Sequence, residues 1–301
     1  MTNPTIGVVG LGNMGVEIAS RLATARDVVA FDLSEQARAE AAGRGIPTAD
    51  SLAGLADCDQ VVLSLPRPEA SRAVVGELAG VLRPGTLVIE TSTVNATDMH
   101  RLGAQCADAD LRCIDAAVLS GVGAMRDGTS TLLVGGDASE VDRARVTLEG
   151  FSARQIVLGE LGAGMAAKVI NNAVAHATMV VLVEAVALAR AAGIRLDDIA
   201  SLLADAEGGL IRPLTHRIQE RVANDDYLPG MPMDAARKDS VLALEYAQSQ
   251  NVPLFAIQGS HSVYEMAVAE GLGRLDYAAI STLWDRWRDG DAHPPAPTPH
   301  G

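Results

Sequence analysis

Lysine is almost missing from this 301-residue chain: Lys168 and Lys238 stand against 22 arginines. Arginine therefore serves wherever a surface cation suffices, and a retained lysine points to chemistry that a guanidinium, which keeps its proton, cannot perform; the alternative is that, among so few, its place is chance. Aromatic residues make up 3% of the chain, so any core must be built from Ala, Val, Leu and Ile. The three cysteines, Cys58, Cys106 and Cys113, form no CxxC pair, and their odd number gives no disulfide framework, which fits a reducing cytoplasm. Clustered cations are also lacking. A net charge of −14 and a pI near 4.8 argue against a nucleic-acid partner, whose phosphates need such clusters. The six histidines and three cysteines show no spacing suited to a metal. The most apolar segment, Ala173 to Val183, is interrupted by His176 and falls short of the roughly 20 residues of a bilayer span, so no membrane partner is expected. The opening "MTNPTIGVVG" lacks a basic region and a long apolar run, so no signal peptide is expected either.

Seven short apolar runs alternate with helical patterns through the first half: "TIGVV", "DVVAFD", "QVVLSL", "TLVIET", "LRCID", "TLLVGG" and "RQIVL". Such alternation predicts a parallel α/β sheet. After about Gly164 the pattern changes to helices alone, near 165–192, 196–205, 214–223, 234–250, 253–270 and 276–288. The first is apolar nearly all round, as a helix buried against something else would be, for instance a second subunit. His176 within it reads as a core histidine, the alternative being an extension of the face of Asn172. Arg212 reads as an ion-paired or solvated arginine, the alternative being a hold on a second anionic group of a substrate. The Pro-rich "DGDAHPPAPTPHG" has nothing apolar to pack and reads as disordered.

"GLGNMG", Gly10 to Gly15, ends a strand run and opens a helical stripe of Met14, Ile18 and Leu22, the context that gives G-x-G-x-x-G meaning. Gly10 permits the tight turn, Gly12 lets backbone approach a pyrophosphate, and Gly15 lets helix and strand pack closely. Asp32 ends the second strand, where a carboxylate can accept from ribose hydroxyls and would repel a 2′-phosphate. Nothing basic follows it directly in "FDLSEQ", so NAD is favoured over NADP. The alternative is that Asp32 merely caps the helix starting near Ser34.

A dinucleotide-binding half followed by an all-helical half opened by a lone lysine resembles the β-hydroxyacid dehydrogenase family. That family includes the 3-hydroxyisobutyrate dehydrogenases, tartronate semialdehyde reductase and, more distantly, 6-phosphogluconate dehydrogenase. Its G-x-G-x-M-G is matched by Gly10, Leu11, Gly12, Asn13, Met14 and Gly15, its Leu-Pro by Leu65 and Pro66, and its Ser-Thr by Ser92 and Thr93. Its catalytic G-x-G-x-x-x-K-x-x-N-N is matched by Gly162, Gly164, Lys168, Asn171 and Asn172. The resemblance implies an α/β fold: a Rossmann NAD-binding domain over 1–162, an all-helical substrate and oligomerisation domain over 163–289, and a tail over 290–301. It implies NAD held by the glycine loop, Asp32, Leu65, Pro66, Thr93 and Lys238. It also implies Lys168 as general acid/base on a small hydroxyacid, with Asn172, Ser120 and Gly121 binding the substrate, in a cytoplasmic homodimer or homotetramer. Lys168 and Asn172 are i, i+4 and share one helix face, so both can reach one substrate.

The match departs from the family at the substrate loop. Asp-Ala-Pro-Val-Ser-Gly-Gly is usual there, and this chain reads "DAAVLSG", Asp115 to Gly121, with Leu119 at the usual serine; Met231 stands at an expected aromatic. These changes imply an altered side-group pocket. No tyrosine is followed by lysine at the Tyr-x-x-x-Lys spacing, which excludes the short-chain dehydrogenases. An imine reductase of the same layout and a non-catalytic dinucleotide-binding module remain as alternatives, and turnover on hydroxyacids against cyclic imines separates them.

Overall fold

Seven strands form one sheet in the order β2-β1-β3-β4-β5-β6-β7, one for each of the seven apolar runs. They are β1 Ile6–Val9, β2 Val28–Phe31, β3 Gln60–Leu63, β4 Leu87–Glu90, β5 Arg112–Val118, β6 Thr131–Gly135 and β7 Arg154–Gly159. The computed structural model describes residues 4–289, so the tail from 290 onward lies outside the described residues. Strands β1, β3 and β4 are buried at every position, as strands covered on both faces must be. Side chains alternate between two cores. Ile6, Val8, Val62, Leu87 and Ile89 join α1 (Gly15–Ala23) and α6 (Ala138–Phe151) on one face. Val9, Val61, Leu63 and Val88 join α3 (Pro68–Leu78) and α4 (Ala96–Asp108) on the other. The predicted stripe on α1 holds: Ile18 and Leu22 are fully buried and Met14 packs beside them. Helix α2 (Glu35–Gly43) starts at Ser34, whose side chain accepts from Ala37 N–H.

The sheet is not wholly parallel. β6 runs antiparallel to β5, and β7 runs parallel to β6. The link from β5 to β6 holds only the five-residue helix α5 (Val122–Arg126), too short for the crossover that parallel strands need. Thr48 bridges Ala30 on the outer side of β2, where a full Rossmann sheet carries a further strand. Its single residue in "GIPTAD" left no periodicity to read. The first compact unit ends at Ala173, inside helix α7 (Ala163–Ala191), because the first turns of α7 pack on the sheet through Met165.

The second unit begins at Val174 and is helical: the rest of α7, then α8 (Leu196–Ala204), α9 (Met233–Ser249), α10 (Phe255–Ala269) and α11 (Ser281–Asp289). The helix expected at 214–223 is instead a π-helical turn, Pro213–Gln219, and a 3-10 turn, Val222–Asn224. From there Arg217 and Arg221 reach the fully buried Asp276 at 3.1 and 3.6 Å, a tie that the sequence pattern does not display. Glu184 on α7, also buried, accepts N–H bonds from Phe255, Ala256 and Ile257 at 2.6, 2.8 and 3.1 Å and so caps α10. The core here is small, centred on Met233, Ala267, Leu272, Ala279 and Leu283.

Helix α7, expected to lie against something else such as a second subunit, is largely open in the single chain, with Ile170, Val174, Met179 and Val183 each more than half exposed; His176, read as a core histidine, is exposed, which corrects that reading. The helix is also 29 residues long, so by length and composition it could cross a membrane, whereas the span judged from Ala173 to Val183 is too short. The apolar pattern of α7 thus lies on a surface that the single chain leaves open.

Candidate active site

The glycine loop follows β1 at the carboxyl ends of the strands, where β2 and β3 lie on either side of β1. This is the switch point at which open α/β sheets bind ligands. Gly10 takes φ +95°, and a Cβ there would lie 2.2 Å from the Ser64 carbonyl oxygen. A Cβ on Gly15 would lie 1.9 Å from the Gly10 carbonyl oxygen. At Gly12 a Cβ would meet nothing within 4 Å, so its bare backbone opens on free space. Two glycines therefore close the loop and the third leaves room for a guest, as a bound pyrophosphate requires. The amino terminus of α1 adds N–H donors and positive potential.

A cavity of about 870 Å³ opens from this loop, lined by Gly10, Gly12, Asn13, Met14, Gly15, Asp32, Leu65 and Pro66 among others. Leu33, Leu52, Arg67, Ala70, Ala73 and Val74 also line it and escaped the sequence reading. The small residues at 70 and 73, one turn apart on α3, are the signal that could have found them. Leu11 contributes only backbone, since its side chain lies in the core. A larger groove, about 1070 Å³, sits at the opposite strand ends, but its Arg83, Arg143 and Arg145 are all paired with acids and offer no free cation.

Asp32 is not the cap of α2, a duty that Ser34 performs with its own hydroxyl. One Asp32 oxygen accepts from Leu11 N–H at 2.7 Å and the other from Ser34 N–H at 2.8 Å. A carboxylate offers about four acceptor positions, so two remain for ribose hydroxyls. Arg38 is the first cation after it along the chain, yet it donates to the Asp32 and Leu33 carbonyls and lies over the Phe31 ring.

Glu90, at the end of β4, is fully buried. It accepts from Ser92 N–H at 2.7 Å, and the Ser92 hydroxyl accepts from Leu65 N–H at 2.8 Å, so this acid holds the Leu65–Pro66 turn. Thr93, next along, is exposed. Burial raises the Glu90 carboxyl above the usual glutamate range, with the Ser71 and Ser92 hydroxyls opposing in part; its second oxygen has no hydrogen-bond partner. A raised folded pKa means that the buried charge destabilises the protein at high pH, and this burden disappears below the unfolded value of about 4.3. Glu90→Gln, which keeps the acceptor for Ser92, is therefore expected to raise Tm by an amount that grows from pH 4.5 toward 8. Thermal unfolding across that range checks it, and a pH-independent difference counts against it.

Lys168 and Asn172 lie half-buried on one face of α7, and Asn171 is exposed. Gly164, one turn before Lys168 on that face, touches the sheet: a Cβ there would lie 2.3 Å from the Leu133 carbonyl oxygen. Lys168 makes no ion pair among the described residues, and burial lowers its ammonium below the ordinary lysine value. Ser120 and Gly121 follow β5; the Ser120 hydroxyl accepts from Thr131 N–H at 3.1 Å. Leu119 is partly buried and packs against the core. Lys238 lies in the second unit on α9, exposed and 3.2 Å from Asp239. Arg212 is ion-paired with Glu207, as the plainer reading held.

Comparison with known proteins agrees with this geometry. Residues 5–163 match the model of the NAD binding domain of 6-phosphogluconate dehydrogenase. Residues 162–284 match that of the NAD-binding domain of NADP-dependent 3-hydroxyisobutyrate dehydrogenase. A probable 3-hydroxyisobutyrate dehydrogenase of Mycobacterium tuberculosis is 32% identical over 287 residues, covering 92% of this chain and 96% of that protein. A solved structure of the M. tuberculosis 3-hydroxyisobutyrate dehydrogenase with L-serine aligns at a TM-score of 0.67 and 29% identity, over 94% of this chain and 99% of that one. An imine reductase from Myxococcus stipitatus reaches a TM-score of 0.85 at 19% identity, over 94% of this chain and all of that one, which shows a shared fold alone. Matched along nearly its whole length and carrying the glycine loop and the lysine helix in place, this chain belongs to the β-hydroxyacid dehydrogenase family.

Proposed function

We propose that the protein is an NAD-dependent dehydrogenase that interconverts a small β-hydroxyacid and its oxo-acid or semialdehyde, with Lys168 as the general acid/base. The observation that carries this is a half-buried lysine with no ion pair among the described residues, lowered in pKa, on the same helix face as Asn172. Family membership and the cavity beside Gly12 and Asp32 support the cofactor. When bound, the dinucleotide supplies the hydride acceptor for oxidation and the donor for reduction. Neutral Lys168 takes the proton from the substrate hydroxyl in oxidation, and its ammonium returns one to the carbonyl oxygen in reduction. Asn172 and the backbone around Ser120 and Gly121 hold the carboxylate and so orient the reacting carbon. Lys238 contributes a cofactor contact.

The exposed apolar face of α7 supports a homodimer or homotetramer, which a light-scattering mass measures directly. The free cysteines suit the cytoplasm. The functional test is turnover over a panel of β-hydroxyacids, L-serine among them, and cyclic imines, each with NAD and NADP. Oxidation of a hydroxyacid with at least about a tenfold preference for NAD is expected; tenfold corresponds to about 1.4 kcal/mol of discrimination by Asp32. Asp32→Ala narrows that gap. Imine reduction without hydroxyacid turnover would move the protein to the other chemistry of this fold.

A further inference from the structure

We propose that Asp115 is a positioning residue for Lys168: it supplies, from the middle of β5, the cap that α7 lacks in its own sequence, and so sets where the lysine stands. The inference rests on the reading of Lys168 as the acid/base. The carbonyl of Gly162 accepts the first helical bond, from Ala166 N–H at 2.9 Å, which makes Gly162 the capping position of α7. A glycine has no side chain with which to bond the N–H three residues on, the usual duty of a capping Ser, Asp or Asn. Asp115 performs it across 50 residues of sequence: one carboxylate oxygen accepts from Met165 N–H at 2.7 Å, and the other from Gly162 N–H at 2.6 Å.

The surroundings are shaped for this carboxylate. Asp115 is fully buried. A Cβ on Gly135 would come within 2.6 Å of one of its oxygens, and a Cβ on Gly164 within 2.7 Å of the other. Side chains at those two positions would displace the acid from the helix end. A negative charge there also suits the positive end of the helix. Lys168 lies three residues beyond Met165, an axial rise of about 4.5 Å, and its Cβ leans back toward the clamp. Fraying of that first turn therefore moves the amine, while the cofactor cavity is built from other elements. Asp115 lies within the loop that resemblance assigns to the substrate, yet its carboxylate is engaged by the helix.

The test compares Asp115→Asn and Asp115→Ala with the wild type in kcat, NADH affinity and amide hydrogen exchange at residues 162–168. Asp115→Ala is expected to lower kcat at least tenfold at saturating NAD, with NADH affinity within twofold and faster exchange in the first turn of α7. Asp115→Asn keeps one acceptor oxygen and recovers part of both the rate and the protection. The pH dependence of the residual rate keeps the wild-type lysine limb, because the group is displaced and not replaced. The proposal is overturned if the folded variants exchange like the wild type at 162–168, or if kcat stays within threefold. It is equally overturned if NADH affinity falls in step with kcat, since that reports general damage. If Lys168→Arg proves active, the acid/base reading fails by itself, and hydrogen exchange still decides whether Asp115 holds the helix end.

Discussion

Lys168→Arg is expected to lower kcat by at least 10²-fold while NADH still binds, the loss falling within the 10²- to 10⁴-fold worth of general acid–base assistance. The positive charge is preserved, so a lysine that merely attracted a carboxylate would tolerate the change. What disappears is the neutral form, because a guanidinium does not release its proton in a protein. In the structure the amine is half-buried, makes no ion pair among the described residues and has a lowered pKa, so a usable fraction is neutral at alkaline pH. Oxidation by the wild type should accordingly rise with pH through a value below the ordinary ~10.4 of lysine, and that limb should vanish in the variant. NADH fluorescence checks binding and steady-state rates check turnover. Retention of more than a tenth of the wild-type kcat would refute the assignment. Lys238→Arg is the internal control: exposed and paired with Asp239, it should change mainly the KM for NAD.

Gly12→Val and Gly15→Ala should abolish cofactor binding by different routes, and thermal unfolding tells them apart. A Cβ at Gly12 meets no atom beyond its chain neighbours within 4 Å, so the fold should keep its Tm within a few degrees while NADH affinity falls at least tenfold. At Gly15 even one methyl would stand 1.9 Å from the Gly10 carbonyl oxygen, and backbone cannot rotate aside as a side chain does. Overpacking of this kind destabilises by about 1–3 kcal/mol, which lowers Tm by several degrees as well as removing binding. Equal losses of Tm in both variants would mean that the space over Gly12 is filled in solution and does not await a ligand.

Much of the site could be read along the chain because its signals are local. The glycine loop needs a turn, a close approach and a tight helix start within six residues, and each demand removes a side chain. Lys168 and Asn172 share a face through helical spacing alone, and the seven strands announced themselves as apolar runs between helical stretches. The direction of β6 was not legible, since an apolar run has no polarity and only the short link around α5 sets it. Nor was the exposure of α7: a helix apolar all round reads the same whether its own chain or another molecule covers it.

Residue type and spacing thus gave the glycine loop and the order of elements, which depend on neighbours a few residues apart, while the chemistry was read through the family resemblance those motifs carry. The buried acids needed the folded chain. Nothing in the sequence distinguishes Asp115, Glu90 or Glu184 from a solvated carboxylate. Their bonds join backbone N–H groups to side chains 47 and 50 residues away for Asp115 and 71 to 73 for Glu184; Glu90 bonds Ser92 N–H two residues on, and only the Ser92 hydroxyl, accepting from Leu65 N–H, crosses to a neighbouring loop. Packing alone brings those donors near and removes the water that would otherwise satisfy them. A carboxylate so placed becomes part of the frame that holds the reacting groups.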